Sequence, residues 1–316
     1  MVVGIRAGTI STQDVMGGCM HYTGPTYRPP YEANSLLLQV TSGCSHNACT
    51  FCSMYRDVPF EASPIEEIEE DLRYVAQGFA PFNRVFLVNG DAFCLSADRL
   101  AEIAELIHLY LPHIESIGGY ASINNVLSKS EDELRMLAGL GYADFNIGLE
   151  SGLDDVLAYM NKGYTLAQAR EALSRLNAAG MPFNLNIITA AAGKGRTVEH
   201  AEANAAIVNE ANPTLIFVSP LHVDPGARLE QLVAEGDFEE CTLGDYIDEE
   251  IEFLKRLEVS DCVFFGLHVS NPVRASGILP RDKDYLINEL KLGREYYPKW
   301  RLQSVPAKGA EGRMVN

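Results

Sequence analysis

The chain alternates between two hydrophobic periods. Short β-branched or apolar runs occupy 35–41 (SLLLQVT), 84–90 (RVFLVNG), 116–122 (SIGGYAS), 143–150 (ADFNIGLE), 182–189 (PFNLNIIT) and 214–220 (TLIFVSP). Runs of this length, apolar at most positions, read as buried strands. Between them apolar residues recur at helical spacing near 65–77, 97–110, 130–140, 165–179 and 197–211, with a further stretch near 242–257 after the sixth strand. Ser130 and Glu133 form a capping box opening the third helix, and Gly141 and Gly180 stand where helices stop before strands. Such alternation implies a parallel sheet.

Six βα units fit an open doubly wound sheet or part of a barrel. An open nucleotide-binding sheet places a glycine-rich phosphate loop after a strand, and neither GxGxxG nor GxxxxGK[ST] stands at such a place. The first strand runs instead into a loop of cysteines. The pattern therefore predicts an α/β chain built on a partial (β/α)6, TIM-like barrel of parallel strands with N- and C-terminal extensions, its chemistry at the C-terminal strand ends. Residues 1–33 read as an N-terminal arm, whose Gly-, Pro- and Tyr-rich stretch 21–35 packs on the barrel. The core spans 34–225, a helical and loop extension closing the barrel spans 226–305, and 306–316 is a disordered tail. Within the extension, 262–286 begins as a strand and continues as a loop carrying His268, Asn271, Arg274 and Arg281 on the open side.

Composition narrows the class. The 316 residues, 47% hydrophobic and 22% charged, suffice for one large domain or two ordinary ones. No run of about eighteen apolar residues appears, and 1–18 lacks the basic start and apolar centre of a secretory signal, so a soluble, cytoplasmic protein is expected. A net charge of -18 disfavours nucleic acid as a partner. Most of the acid sits in runs such as 65–72 and 246–258, which read as solvated helix faces. Of seven cysteines, Cys44, Cys49 and Cys52 are clustered, while Cys19, Cys94, Cys241 and Cys262 are scattered and read as ordinary buried thiols. In a reducing compartment, clustered thiols point to a metal.

The strand ends are polar. Ser42 to Cys52 follow the first; Asn89, Gly90 and Asp91 the second; Ser122, Asn124 and Asn125 the third; Glu150 and Ser151 the fourth; His222 and Asp224 the sixth. The fifth strand carries Asn184 and Asn186 on one face, and polar groups there call for a bound polar ligand or a water network. The thiols suit zinc or an iron–sulfur cluster. His46 would complete a zinc set, yet four ligands within nine residues of one loop are cramped. A 4Fe–4S cluster on three cysteines instead keeps one iron open to a cofactor or substrate.

The loop resembles the cluster loop of the radical S-adenosylmethionine (SAM) superfamily, CxxxCxxC with an aromatic residue before the last cysteine. Here it reads CxxxxCxxC with Phe51 at the aromatic position, one residue longer in the first gap. The resemblance extends over about residues 33–225. Asn89-Gly90-Asp91 is similar to the Gly-Gly-Glu turn that holds the SAM amino group. IGLESG (147–152) resembles the segment whose Glu150 and Ser151 would approach the ribose or methionine part, and MNKGYT (160–165) resembles a basic turn whose Lys162 would pair with the SAM carboxylate. Ser122 and Asn186 complete the expected cofactor-binding set.

The resemblance implies one 4Fe–4S cluster, reductive cleavage of SAM to a 5′-deoxyadenosyl radical, and hydrogen abstraction from a small polar substrate. His222, His268 and Asn271 are the catalytic candidates. An outside reductant such as flavodoxin or ferredoxin is also implied. Auxiliary clusters are not expected, because no second cysteine group follows Cys52, and the 34 residues before the first strand are too few for a cobalamin-binding domain. The wording of the chain resembles barrel proteins related to the coproporphyrinogen-oxidase-like and cobalamin-linked branches. The competing reading is a non-enzymatic metal protein, either a zinc-stabilised barrel or an iron–sulfur carrier, which would not need polar residues at the other strand ends.

Overall fold

A computed structural model describes residues 20–78 and 82–306. Cys19, all of the arm before it and all but the first residue of the expected disordered tail lie outside the described residues.

The six expected strands form within two residues of their sequence bounds: β1 (Leu36–Gln39), β4 (Arg84–Val88), β5 (Ser116–Ala121), β6 (Phe145–Glu150), β7 (Phe183–Thr189) and β8 (Leu215–Pro220). Two-residue strands β2 (Thr41–Ser42) and β3 (Glu61–Ala62) pair with each other and bracket the cysteine loop. The extension adds β9 (Cys262–Gly266) and β10 (Ala275–Leu279), giving a sheet ordered β1-β4-β5-β6-β7-β8-β9-β10. All neighbours from β1 to β9 are parallel, and β10 returns antiparallel to β9.

Two expectations are corrected here. Seven strands run parallel where six were expected, and the stretch read as a loop after Cys262 returns as a strand and then a helix, Lys283–Tyr296. The β10 sequence, ASGIL, has little β-propensity of its own. Its conformation comes from full pairing with β9, reinforced by Ser276 Oγ donating to Phe264 O at 2.9 Å. Among the described residues no ladder joins the edge strands β1 and β10. The fold is α/β, a mixed sheet with flanking helices.

Helices at Ile65–Ala76, Ala97–Tyr110, Glu131–Gly139, Leu166–Ala179, Thr197–Ala211 and Leu243–Arg256 match the periodic stretches. The Ser130–Glu133 capping box is present, and Gly180 ends its helix in the left-handed conformation. Short helices at Ile123–Leu127 and Asp154–Tyr159 escape a periodicity reading, since one or two turns contain too few repeats.

Alternation along the strands sorts the two sheet faces. Phe145, Ile147 and Leu149 of β6 join the main core, where Phe145 meets Phe93 and Tyr142. On the other face Asn146 accepts from Asn184 Nδ2 at 3.4 Å and from Tyr31 of the arm, whose ring stands edge-on to Phe217 and Phe265. Nearby, at the N-terminal strand ends, Arg84 pairs with the buried Glu32 at 3.1 Å and donates to Ser116 Oγ at 3.0 Å. Tyr31 and Glu32 of the arm therefore cover that end of the sheet, while its earlier residues reach the opposite end, where Thr23 N–H donates to Gln39 Oε1 at 2.8 Å and the Tyr27 ring stands 5.4 Å from that of Tyr55. No helix of the described residues is long and apolar enough to cross a membrane.

Candidate functional site

The cysteine loop rests on the turn that ends β4. A Cβ on Gly90 would lie 2.0 Å from Gly43 O and 2.6 Å from Cys44 Cα, so only glycine permits this approach. Asn89, buried with φ 71°, donates to Gln39 Oε1 at 3.1 Å. The Asp91 carboxylate accepts from Ser45 N at 3.1 Å and from Ser45 Oγ, tying the turn to the first residue after Cys44.

The longer first gap has a structural account. Asn47 takes the left-handed conformation with φ 39°, its N–H reaching Cys44 Sγ at 3.5 Å and its amide donating to Tyr55 O at 2.9 Å. His46 Nε2 donates to Asn161 O at 2.6 Å, and Asn161 Nδ2 returns a bond to Ala48 O at 2.7 Å. Thr50 N–H donates to Met160 O at 3.0 Å. The added residue thus bulges towards the 159–161 turn, which fastens it, and His46 is spent on that anchoring.

Cys44, Cys49 and Cys52 are free and partly buried. Burial pushes all three thiols up, Cys52 to about 11. Asp91 adds to the rise at Cys44, whereas at Cys49 the Lys162 charge opposes it. Near neutral pH these groups are protonated donors, converted to thiolates only by a cation that displaces the proton. Among the described residues no group of three His, Cys, Asp or Glu side chains gathers around a single-ion position. A 4Fe–4S cluster binds each cysteine through a different iron, so its donors stand apart.

Beside the loop lies a buried ion pair. Lys162 Nζ is 3.1 Å from Glu150 Oε1, with both side chains 10% exposed, and stands 5.7 Å from the centroid of the Phe51 ring. Burial alone would lower the Lys162 ammonium, but the Glu150 carboxylate, with Tyr164 and Cys49 beside it, outweighs burial and holds the lysine above its ordinary range. Glu150 is left-handed, with φ 65°, and the β6–β7 register slips between Gly148 and Glu150, a bulge that re-aims the carboxylate. A Cβ on Gly148 would lie 2.3 Å from Glu150 Oε1 and 3.3 Å from Lys162 Nζ, so this glycine leaves the space the pair occupies.

Other expected residues fall into different roles. Ser122 caps the Ile123–Leu127 helix, accepting from Asn125 N at 3.2 Å. Ser151 is buried, with its hydroxyl turned to His200 at 2.9 Å. Asn186 is partly exposed and its Oδ1 has no hydrogen-bond partner, whereas Asn184 is satisfied by Asp144 O at 3.2 Å and by Asn146. His222 lies 3.5 Å from Asp224, which also accepts from Ser53 Oγ at 3.1 Å, one residue past Cys52. The end of β8 therefore meets the cysteine loop. His268 is pushed down by burial and by His222, and its ring stands edge-on to Phe217. Asn271 donates to Val218 O at 3.0 Å and Gly266 O at 2.8 Å, a staple between β8 and β9. Arg274 is exposed, and the exposed Arg281 pairs with Asp282.

The acidic runs are corrected. Asp71 in the first run is buried and binds the N–H and ring of His21, and Glu249 and Glu250 in the second are buried as well. Glu249 and Glu250 sit next to Ile251 on the helix, so a hydrophobic-face count at Leu243, Tyr246, Ile247 and Leu254 contained the signal. Cys241 and Cys262 are buried as expected, whereas Cys94 is partly exposed.

The family model for the radical SAM superfamily matches residues 38–206. No curated protein matches the sequence. Among solved structures, the chain is similar to the radical SAM methyltransferase TsrM from Kitasatospora setae, solved with cobalamin and a [4Fe-4S] cluster (17% identity, 64% of this chain and 39% of that one, TM-score 0.52). It is also similar to the cobalamin-dependent SAM radical enzyme OxsB (17% identity, 83% of this chain and 45% of that one, TM-score 0.51). A third is the archaeal Elp3 of Methanocaldococcus infernus (12% identity, 85% of this chain and 64% of that one, TM-score 0.51). At such identities the likeness is one of fold, and the chain spans less than half the length of the first two. The match over more than half of its residues establishes that this chain belongs to the radical SAM superfamily.

Proposed function

We propose that the chain is a radical SAM enzyme that holds one 4Fe–4S cluster on Cys44, Cys49 and Cys52, binds S-adenosylmethionine at the surrounding strand ends, and abstracts hydrogen from a small polar substrate. The observation that carries this reading is the buried Lys162 ammonium, paired with Glu150 and poised over Phe51 of the cysteine loop. The residues fit the groups. Three soft donors share one loop, a fixed cation lies beside them, and Asn186 Oδ1 awaits a donor.

When bound, the cluster and S-adenosylmethionine supply an electron and the 5′-deoxyadenosyl radical that takes hydrogen from the substrate. The chain's own groups bind and position. Lys162 receives a carboxylate, with Glu150 releasing part of its hold as the ligand enters. Asp91 orients the cysteine loop through Ser45 and so presents the Asn89–Gly90 backbone to an ammonium. Phe51 covers the site, and Asn186 takes a ligand donor. Glu150 is placed to meet ribose hydroxyls as well. Ser122 and Asn271 act by shaping, through a helix cap and a strand staple.

His268, whose proton affinity is lowered by burial, and His222 stand after β9 and β8, placed to accept a proton released at the site. The sheet then works as a partial TIM-like barrel. Tyr31 and the Arg84–Glu32 pair close its lower end, away from the cysteine loop. A flavodoxin or ferredoxin is the proposed reductant.

Anaerobic reconstitution tests the reading. It should give brown protein with about four iron and four sulfide per chain, and 5′-deoxyadenosine on reduction with S-adenosylmethionine. Stoichiometric zinc without cleavage would establish the metal-protein alternative instead.

A further inference from the structure

Three buried polar side chains run in line behind Glu150. Ser151 Oγ lies 2.9 Å from His200 Nε2, and His200 Nδ1 lies 2.7 Å from Glu249 Oε1. Ser151, His200 and Glu249 are 0%, 0% and 1% exposed. Ser151 Oγ accepts the Leu153 N–H at 3.1 Å; with the Glu249 carboxylate taking the His200 Nδ1–H, the neutral ring's Nε2 is an acceptor and receives the Ser151 proton. One helical turn beyond His200, Asn204 Oδ1 accepts the Gly152 N–H at 2.6 Å.

The order Ser–His–Glu is that of an acyl-transfer triad. A hydroxyl sealed from solvent and occupied by a backbone N–H has no route to a substrate, so its effect is mechanical. Two neighbouring strand ends carry non-glycine residues in the left-handed region, Glu150 with φ 65° and Ala190 with φ 61°. Such residues are strained and persist where surrounding contacts over-determine them. Glu249 Oε1 supplies contacts to both ends. It accepts the Ala190 N–H directly at 3.0 Å, and through His200 it holds the residue that follows Glu150. Glu249 belongs to the Leu243–Arg256 helix, beyond residue 206, where the family match stops.

We infer that His200 and Glu249 are positioning residues for the cofactor site: the Leu243–Arg256 helix sets the left-handed turn at Glu150 and, through Glu150, the place of the Lys162 ammonium. The inference rests on the proposed function only for what that ammonium receives. The mechanical link stands on the hydrogen bonds alone.

The test uses reconstituted holoenzyme with His200→Phe, Glu249→Leu and Glu249→Gln, well below each variant's melting temperature. Two readouts are taken: affinity for S-adenosylmethionine by calorimetry, and the rate of reductive methylation of Lys162 by peptide mass spectrometry. His200→Phe and Glu249→Leu should weaken binding by about tenfold or more, the usual scale for removing an outer support, and should speed Lys162 methylation severalfold. Glu249→Gln keeps the acceptor oxygen and should stay within about twofold of wild type. On a Lys162→Ala background, His200→Phe should cost little further affinity, because the two act in one chain.

Variants that only lower the melting temperature, with affinity and Lys162 methylation unchanged, overturn the inference. Should wild type itself fail to bind S-adenosylmethionine, the proposed function falls. Lys162 methylation then decides the mechanical link by itself, a faster rate upholding it and an unchanged rate ending it.

Discussion

Lys162 Nζ sits 3.1 Å from Glu150 Oε1 in a pair closed off from bulk water. The cost of breaking such a pair comes from the charge left behind. Lys162→Met strands a buried carboxylate and should lower stability by roughly 3–5 kcal/mol. The double variant Lys162→Met, Glu150→Gln should recover much of that loss. Urea unfolding midpoints of the single and double variants check this; equal losses in both would refute it.

Gly90 underlies the cysteine loop, with Gly43 O and Cys44 Cα in the space a side chain would take. Gly90→Ala must displace backbone, because neither obstacle is a flexible side-chain end. Iron incorporation on reconstitution should fall well below wild type while the circular dichroism of the sheet persists. Full iron content in this variant would show that the contact does not set the loop.

The cysteines should divide cleanly. Cys44→Ala, Cys49→Ala or Cys52→Ala should abolish the cluster absorbance, since each removes one of three donors on the loop. Cys241→Ala and Cys262→Ala, at buried positions in the packed interior, should cost some stability and leave iron content unchanged. Cys94→Ala should also keep the cluster. Iron and sulfide assays on the six variants are sufficient.

Glu250 gives a pH dependence with a definite sign. Burial, and then the charge of Glu249, push its carboxyl up to about 8, against an ordinary value of 4.5. The folded state therefore keeps a proton that the unfolded chain releases. The corresponding stability is fully present below about 4.5 and is lost as pH rises to about 8. Glu250→Gln removes this dependence. The stability of wild type relative to Glu250→Gln should decline by several kcal/mol between pH 5 and 9. Parallel pH curves for the two proteins would contradict the assignment.

Much of this molecule was legible in the chain. The apolar runs and the 3.6-residue stretches located six strands and six helices, because burial of a face imposes its period on the residues that supply it. The tight spacing of Cys44, Cys49 and Cys52 and the glycine of Asn89-Gly90-Asp91 were visible for the same local reason. β10 was not, since Ala275, Ser276 and Gly277 carry little strand preference and the segment takes its conformation from pairing with β9.

What only the tertiary structure decided is which polar groups meet. Glu150 and Lys162 were both marked by their motifs, yet their pairing depends on a bulge and a left-handed residue at the end of β6. Asp91 was expected to face a ligand and is tied to Ser45; Ser151 was expected at the cofactor and faces His200. Glu249, inside a run that reads as solvated surface, lies at the bottom of that network. Periodicity is a property of neighbours in sequence, so the chain by itself specified the strands, the helices and the thiol loop. A buried charge is tolerable only beside its partner, and partners some fifty residues apart, such as Ser151, His200 and Glu249, are brought together by packing alone.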